Sequence, residues 1–261
     1  MVSHVTTPAA EVLESLPDWV TLIRAPNPGP MTLDGTNTWL LRAPGAGAVV
    51  VDPGPLDEGH LRAVAADGPV AAIVLTHGHH DHTDGVARLA ELTGAPVYDP
   101  PVLEGLQVGG VAVAPLATPG HTSDSVCFVV GYQGQEIVLT GDTILGRGTT
   151  VVAWPDGNLG DYFGSLAKLA ELDGRPALPG HGPALSDTAV AARFYRAHRE
   201  ARLEQVRAAV AAGAGDAAEV VARVYSDVDP SLWPAAEWSV RAQLDFLRRE
   251  SHPPVSGLDA T

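Results

Sequence analysis

Short runs of β-branched and other apolar residues recur through the first 185 positions, at 20–23, 38–41, 48–51, 70–75, 110–116, 126–130 and 137–139. Each is strand-length and bounded by turn residues, so each predicts a β-strand. Between them, 56–66 gathers its apolar residues on one face, and 84 or 85 to 92 follows a polar loop. The stretch 161–172 opens on Asp161, a residue suited to N-capping, and all three stretches predict helices. After Pro183 the pattern turns wholly helical: 188–212 is long and free of Gly and Pro, and 216–225 and 231–249 follow. Pro234 falls in the first turn of the last helix, where proline is tolerated. Strands interleaved with helices predict a layered α/β architecture over 1–185, with a small helical domain over 186–251 and a disordered tail over 252–261.

Composition narrows the class. With 45% apolar residues the chain can bury a core, which excludes wholesale disorder despite a net charge of −15. No apolar run approaches the roughly 18 residues that a membrane span needs. The first basic residue is Arg24, so the N-terminus lacks the basic start of a secretory signal. Cys127 stands alone, which forbids an internal disulfide and fits a reducing, cytoplasmic setting. The charge is unevenly spread. Residues 1–192 hold 7 Lys+Arg against 21 Asp+Glu, whereas 193–261 hold 9 against 10. That shift predicts a boundary near 185–192. So acidic a chain is poorly suited to non-specific nucleic-acid binding, which depends on cations neutralising phosphates.

The candidate chemistry lies directly after the run 70–75, where four histidines fall within six residues: His77-Gly78-His79-His80-Asp81-His82. A loop leaving the end of a buried strand is where α/β folds place ligands. His77 and His79 are two apart, so in an extended loop their rings point the same way, and Asp81 with His82 can face a second point. Imidazole and carboxylate suit zinc, and also iron or manganese. A structural zinc site would favour cysteines, and the chain has one. Three further Gly-rich turns each follow an apolar run and each present one ligand type: Pro119-Gly120-His121, Thr140-Gly141-Asp142 and Pro179-Gly180-His181. Any one alone reads as a structural turn; their order after the histidine cluster makes a joint signal.

With these motifs the chain resembles the metallo-β-lactamase superfamily over roughly 19–183. The resemblance implies an αββα sandwich with the site along one edge, and two zinc ions (iron or manganese possible). His77, His79 and His121 would hold one ion; Asp81, His82 and His181 would hold the other, with Asp142 bridging. Asp52, in the turn Asp52-Pro53-Gly54, would support the metal loop from behind. A water between the ions would be the nucleophile, with Asp81 as its catalytic orienting group. His80 is expected to point outward.

Some true β-lactamases carry a cysteine where this chain has Asp142, so β-lactam cleavage is not expected. The bridging carboxylate resembles instead the branch that cleaves thioesters, lactones and phosphodiesters. The segment 27–40 and the helix around 195–202 resemble β-lactamase-like protein 2 and its bacterial relatives, which carry a C-terminal winged-helix-like unit. That resemblance implies an endoribonuclease acting on single-stranded RNA, with Tyr162, Ser165, Arg196, His198 and Arg199 as candidate substrate-binding residues. Two features depart from the group: the segment after Ser251 is short for a wing, and the tail lacks a basic excess. Arg193, Arg196, Arg199 and Arg202 recur every three residues, and a solvated face paired with Glu200 and Glu204 competes with phosphate contact. The alternatives are a glyoxalase II-like thioester or lactone hydrolase acting on a small-molecule ester, and a non-catalytic nucleic-acid-binding module. The full set of ligand types speaks against the last. Oligomeric state is not legible.

Overall fold

The computed structural model describes residues 16–98 and 105–251, so the expected tail at 252–261, and with it any wing, lies outside the described residues. Two five-stranded mixed sheets stack face to face. The first has the order β1 (Val20–Arg24), β2 (Asn37–Leu41), β3 (Ala48–Val51), β4 (Val70–Val74), β5 (Val97–Tyr98). The second runs β10 (Ala177–Pro179), β9 (Gln135–Gly141), β8 (Val126–Tyr132), β7 (Val111–Ala117), β6 (Leu106–Val108). The β1–β2–β3 and β6–β7–β8–β9 pairings are antiparallel, whereas β3–β4, β4–β5 and β9–β10 are parallel.

The period-two alternation of side chains explains the layering. Trp39, Leu41, Val49, Val51 and Val74 from the first sheet meet Val113, Phe128, Val130, Ile137 and Leu139 from the second. The opposite faces of the same strands are also apolar. Leu40, Val50 and Ile73 pack on α1 (Glu58–Ala66) and α3 (Val86–Thr93) through Leu61, Val64 and Leu89. Cys127, Val138 and Ala177 pack on α4 (Leu159–Leu169) and the start of α5 (Thr188–Ala211). The result is the expected αββα sandwich.

Helix α4 begins earlier than the sequence pattern predicts. Asn158 is its cap, its side-chain oxygen accepting from the Gly160 and Asp161 backbone amides, and Asp161 lies inside the first turn. Short elements were also missed: β5, β6, β10, and the one-turn helix α2 (His80–Thr83) within the histidine cluster. After Pro183 the described chain is helical, with α6 (Ala217–Val224) and α7 (Trp233–Ser251) completing it. The first half of α5 belongs to the sandwich through Ala192 and Tyr195. Its second half forms a separate small core, Val206 and Ala209 against Val220, Val221 and Val240. Among the described residues no helix is long and apolar enough to cross a membrane.

Candidate metal centre

Seven side chains converge beyond the C-terminal ends of four strands. β4 runs into His77 and His79, β7 into His121, β9 into Asp142 and β10 into His181, while α2 supplies Asp81 and His82. Asp81 and His82 thus stand on a helical turn, not on an extended loop. Three groups could each hold a cation, their ligand atoms within 4.8 Å of one another: His77, His79 and His121; His77, His82 and Asp142; Asp81, His82 and His181.

Nitrogen faces nitrogen throughout. His79 Nδ1 lies 2.9 Å from His77 Nε2 and 3.1 Å from His121 Nε2, and His82 Nε2 lies 3.2 Å from His181 Nε2. His181 Nε2 is 3.1 Å from Asp81 Oδ2 and 3.4 Å from Asp142 Oδ2, and His82 Nε2 is 3.5 Å from Asp142 Oδ1. Donor atoms 2.0–2.1 Å from a tetrahedral cation stand about 3.3 Å apart, close to this spacing. Asp142 Oδ1 is buried without a hydrogen-bond partner, as expected of an oxygen meant for a cation. Gly180 shares this close approach: a Cβ there would come within 2.6 Å of Asp142 Oδ1 and 2.7 Å of His82 Cε1. The residues present therefore fit a divalent metal.

The outward ring atoms are fixed by the protein. Thr76 Oγ1 donates to Asp52 Oδ2 at 2.7 Å, so at 3.0 Å it accepts from His77 Nδ1. Asp52 Oδ2 also accepts from His82 Nδ1 at 2.8 Å, and Oδ1 accepts the Thr76 amide. His121 Nδ1 donates to the Val151 carbonyl at 2.6 Å. Each arrangement leaves Nε2 bare and aimed inward. Asp52 does this with φ at +52°, a left-handed conformation that aspartate tolerates better than most side chains.

Electrostatics divide the centre in two. Burial pushes His77 well below the ordinary imidazole range, with His82 adding to the effect against Asp142, and it also lowers His121 against the pull of Asp142. Burial opposes charge on His82 and His181 as well. There the carboxylates win: Asp52 and Asp142 raise His82, and Asp142 with Asp81 raises His181 to about 10. Asp142 resists its own burial and is held well below the usual carboxylate range by His181 and His82. Asp81 is lowered likewise, its burial outweighed chiefly by His181.

The sequence missed the groups that lock the N-terminal segment to this centre. Thr36 Oγ1 donates to Asp81 Oδ2 at 3.2 Å, and the Asn37 amide donates to the Pro179 and Gly182 carbonyls flanking His181. Both lie in the 27–40 segment whose resemblance was noted without a physical reason. His80 points to solvent and pairs with Asp84.

The proposed substrate residues separate. His198 and Arg199 line a cavity of about 360 Å³ that runs from His121 and Asp142 to the C-terminal helices. Tyr162 and Ser165 do not reach it. Both are buried, donating to the Thr143 and Pro119 carbonyls respectively, so they brace the Asp142 and His121 turns from beneath. Arg196 also stands off the cavity, paired with Glu200 and over the Phe163 ring.

Known proteins are similar to this chain in sequence and fold. The profile of the metallo-beta-lactamase superfamily matches residues 31–105 and 95–181, and that of the beta-lactamase associated winged helix domain matches 217–251. The chain is 31% identical over 264 residues to the Beta-lactamase-like protein 2 homolog of Drosophila melanogaster, covering 88% of each. It is 38% identical over 183 residues to the atrochrysone carboxyl ACP thioesterase of Aspergillus fumigatus, covering 62% of this chain and 55% of that one. A beta-lactamase domain protein from Burkholderia ambifaria has the same fold, with a TM-score of 0.76 at 22% identity over 90% of this chain and 87% of that one. The chain belongs to the metallo-β-lactamase superfamily, as a hydrolase whose sandwich is followed by the winged helix domain associated with that fold.

Proposed function

We propose that this protein is a metal-dependent hydrolase of a small carboxylic ester or thioester. In this reading His77, His79 and His121 hold one divalent cation, Asp81, His82 and His181 a second, and Asp142 reaches both. The donors are all nitrogen and oxygen, which suits zinc and equally iron or manganese. Such a pair of cations lowers the pKa of a shared water and polarises the carbonyl under attack. Asp81 keeps Thr36 and His181 on Oδ2, and its role is to hold the proton of the attacking water on Oδ1. The water oxygen joins the carbonyl carbon, the C–O or C–S bond breaks, and the departing alkoxide or thiolate takes up a proton.

The cavity carries the choice of substrate. It meets the ligand cluster at His121 and Asp142, and Leu33, Leu145, Val228 and Leu232 are among its lining residues. Its volume of about 360 Å³ is that of a small-molecule site. The likeness to a thioesterase points the same way. Single-stranded RNA, the other reading, is recognised by stacking its bases on exposed aromatic faces. Here the Tyr225 ring in the lining is covered by Arg202, and the His198 ring stacks on Phe194.

The test is one metal-loaded preparation assayed on a thioester, a lactone and a single-stranded RNA oligonucleotide, with and without chelator. Chelator-sensitive cleavage of the thioester or lactone is expected. Cleavage of RNA alone would overturn the ester reading in favour of the endoribonuclease.

A further inference from the structure

Arg199 is 3% exposed, yet no carboxylate lies within ion-pair distance of it among the described residues. Its Nη2 donates to the Thr150 carbonyl and its guanidinium lies 5.6 Å from the centre of the Tyr162 ring; its Nε is covered and has no partner. The other arginines of α5 differ. Arg193 pairs with Asp173, Arg196 with Glu200, Arg202 with Asp227 and Arg207 with Glu204 and Glu250. A buried guanidinium without a counter-charge is costly, and such a cost is retained where a ligand supplies the missing charge.

The cavity surrounding Arg199 sharpens this. Its lining includes Arg147, Arg199 and Arg202, whereas its acidic member, Asp142, is turned toward His82 and His181. Arg147 is paired with Asp34 and Arg202 with Asp227, so among these described lining residues Arg199 is the cation without a carboxylate partner. A second polar atom, Tyr225 Oη, is also buried on this cavity without a partner. Apolar walls with two unsatisfied donors describe an amphiphilic occupant.

We propose that Arg199, aided by Tyr225, forms an anion-binding subsite of the cavity, so that the substrate is an ester or thioester whose apolar chain carries a terminal carboxylate or phosphate. This rests on the hydrolase reading above. The planar fork of Arg199 matches either anion.

The experiment compares p-nitrophenyl hexanoate with mono-p-nitrophenyl adipate, which adds a terminal carboxylate to a chain of the same length. Wild-type kcat/KM is expected to favour the adipate ester by about tenfold or more, the scale of a charge-assisted hydrogen bond. Arg199→Met should erase that preference, mainly through KM, and Arg199→Lys should recover part of it. Binding to the metal-free protein gives an arm independent of catalysis. By calorimetry, monomethyl adipate should bind wild type and lose affinity in Arg199→Met, while dimethyl adipate should not distinguish them. Hexyl phosphate in the same assay tells phosphate from carboxylate preference. If neither ester is cleaved but monomethyl adipate binding depends on Arg199, the hydrolase reading fails and the subsite stands. If both esters are cleaved equally by wild type, the subsite is overturned and the hydrolase reading survives. That wild-type comparison decides even if Arg199→Met does not fold.

Discussion

Asp52 shows how much a single residue outside the ligand set can control. Its carboxylate accepts from His82 Nδ1, Thr76 Oγ1 and the Thr76 amide, and through Thr76 it reaches His77. Asp52→Ala should therefore weaken metal binding about 10–100-fold, the usual effect of losing such a support. Chelator competition measures it, and unchanged affinity would mean that His77 and His82 are oriented by packing alone. The charge division of the centre gives a second expectation. His82 and His181 are both raised by the carboxylates, His181 to about 10, so His181 carries a proton at neutral pH until a cation displaces it. His77 and His121 are lowered and are already neutral there. Metal loading at pH 7 should release protons, and affinity should climb with pH toward about 10. Calorimetry in buffers of different ionisation enthalpy reads this directly. A buffer-independent heat would contradict the protonated state of His181.

At the scale of elements, the sequence was most legible where apolar runs end in a ligand. β4, β7 and β9 each contain an apolar run, and the residues that follow them, His77, His121 and Asp142, were placed correctly in loops after strands. β10 was harder, because three residues ending in Pro179 carry almost no strand signal. The burial of Tyr162 had a signal that the family resemblance overrode. Leu159, Tyr162, Leu166 and Leu169 lie at helical spacing on one buried face of α4. In the arginine row of α5 the local pairing of Arg196 with Glu200 was legible, whereas the partners of Arg193, Arg199 and Arg202, namely Asp173, Thr150 and Asp227, are remote in sequence. The cap of α4 can be tested. Asn158→Ala removes an acceptor for two backbone amides and should cost about 1 kcal/mol of stability by denaturant unfolding. Because α4 braces the His121 and Asp142 turns through Ser165 and Tyr162, metal affinity should fall as well if that bracing matters. A purely thermodynamic loss with intact metal binding would make α4 a passive layer.

For the whole molecule, charge and architecture bear on the same question. Helix α5 joins the sandwich to the C-terminal helices, and the cavity lies where the two meet. A strand of RNA approaching that seam would need free cations outside it. The exposed arginines of α5 are already paired, Arg196 with Glu200, Arg193 with Asp173 and Arg207 with Glu204 and Glu250, and the chain as a whole carries −15. Each phosphate contact would have to break an ion pair against a repulsive background, and each cation so used would steepen the salt dependence. Single-stranded RNA should therefore bind no tighter than the non-specific range of about 10⁻⁴–10⁻⁶ M at physiological salt, with a shallow dependence of log K on log salt. Fluorescence anisotropy of a labelled oligonucleotide across a salt series measures both quantities. Sub-micromolar binding with a steep slope would mean that these ion pairs open to phosphate, and would return the substrate to RNA. Weak, shallow binding leaves the seam to a small anion, which the buried charge of Arg199 is placed to hold.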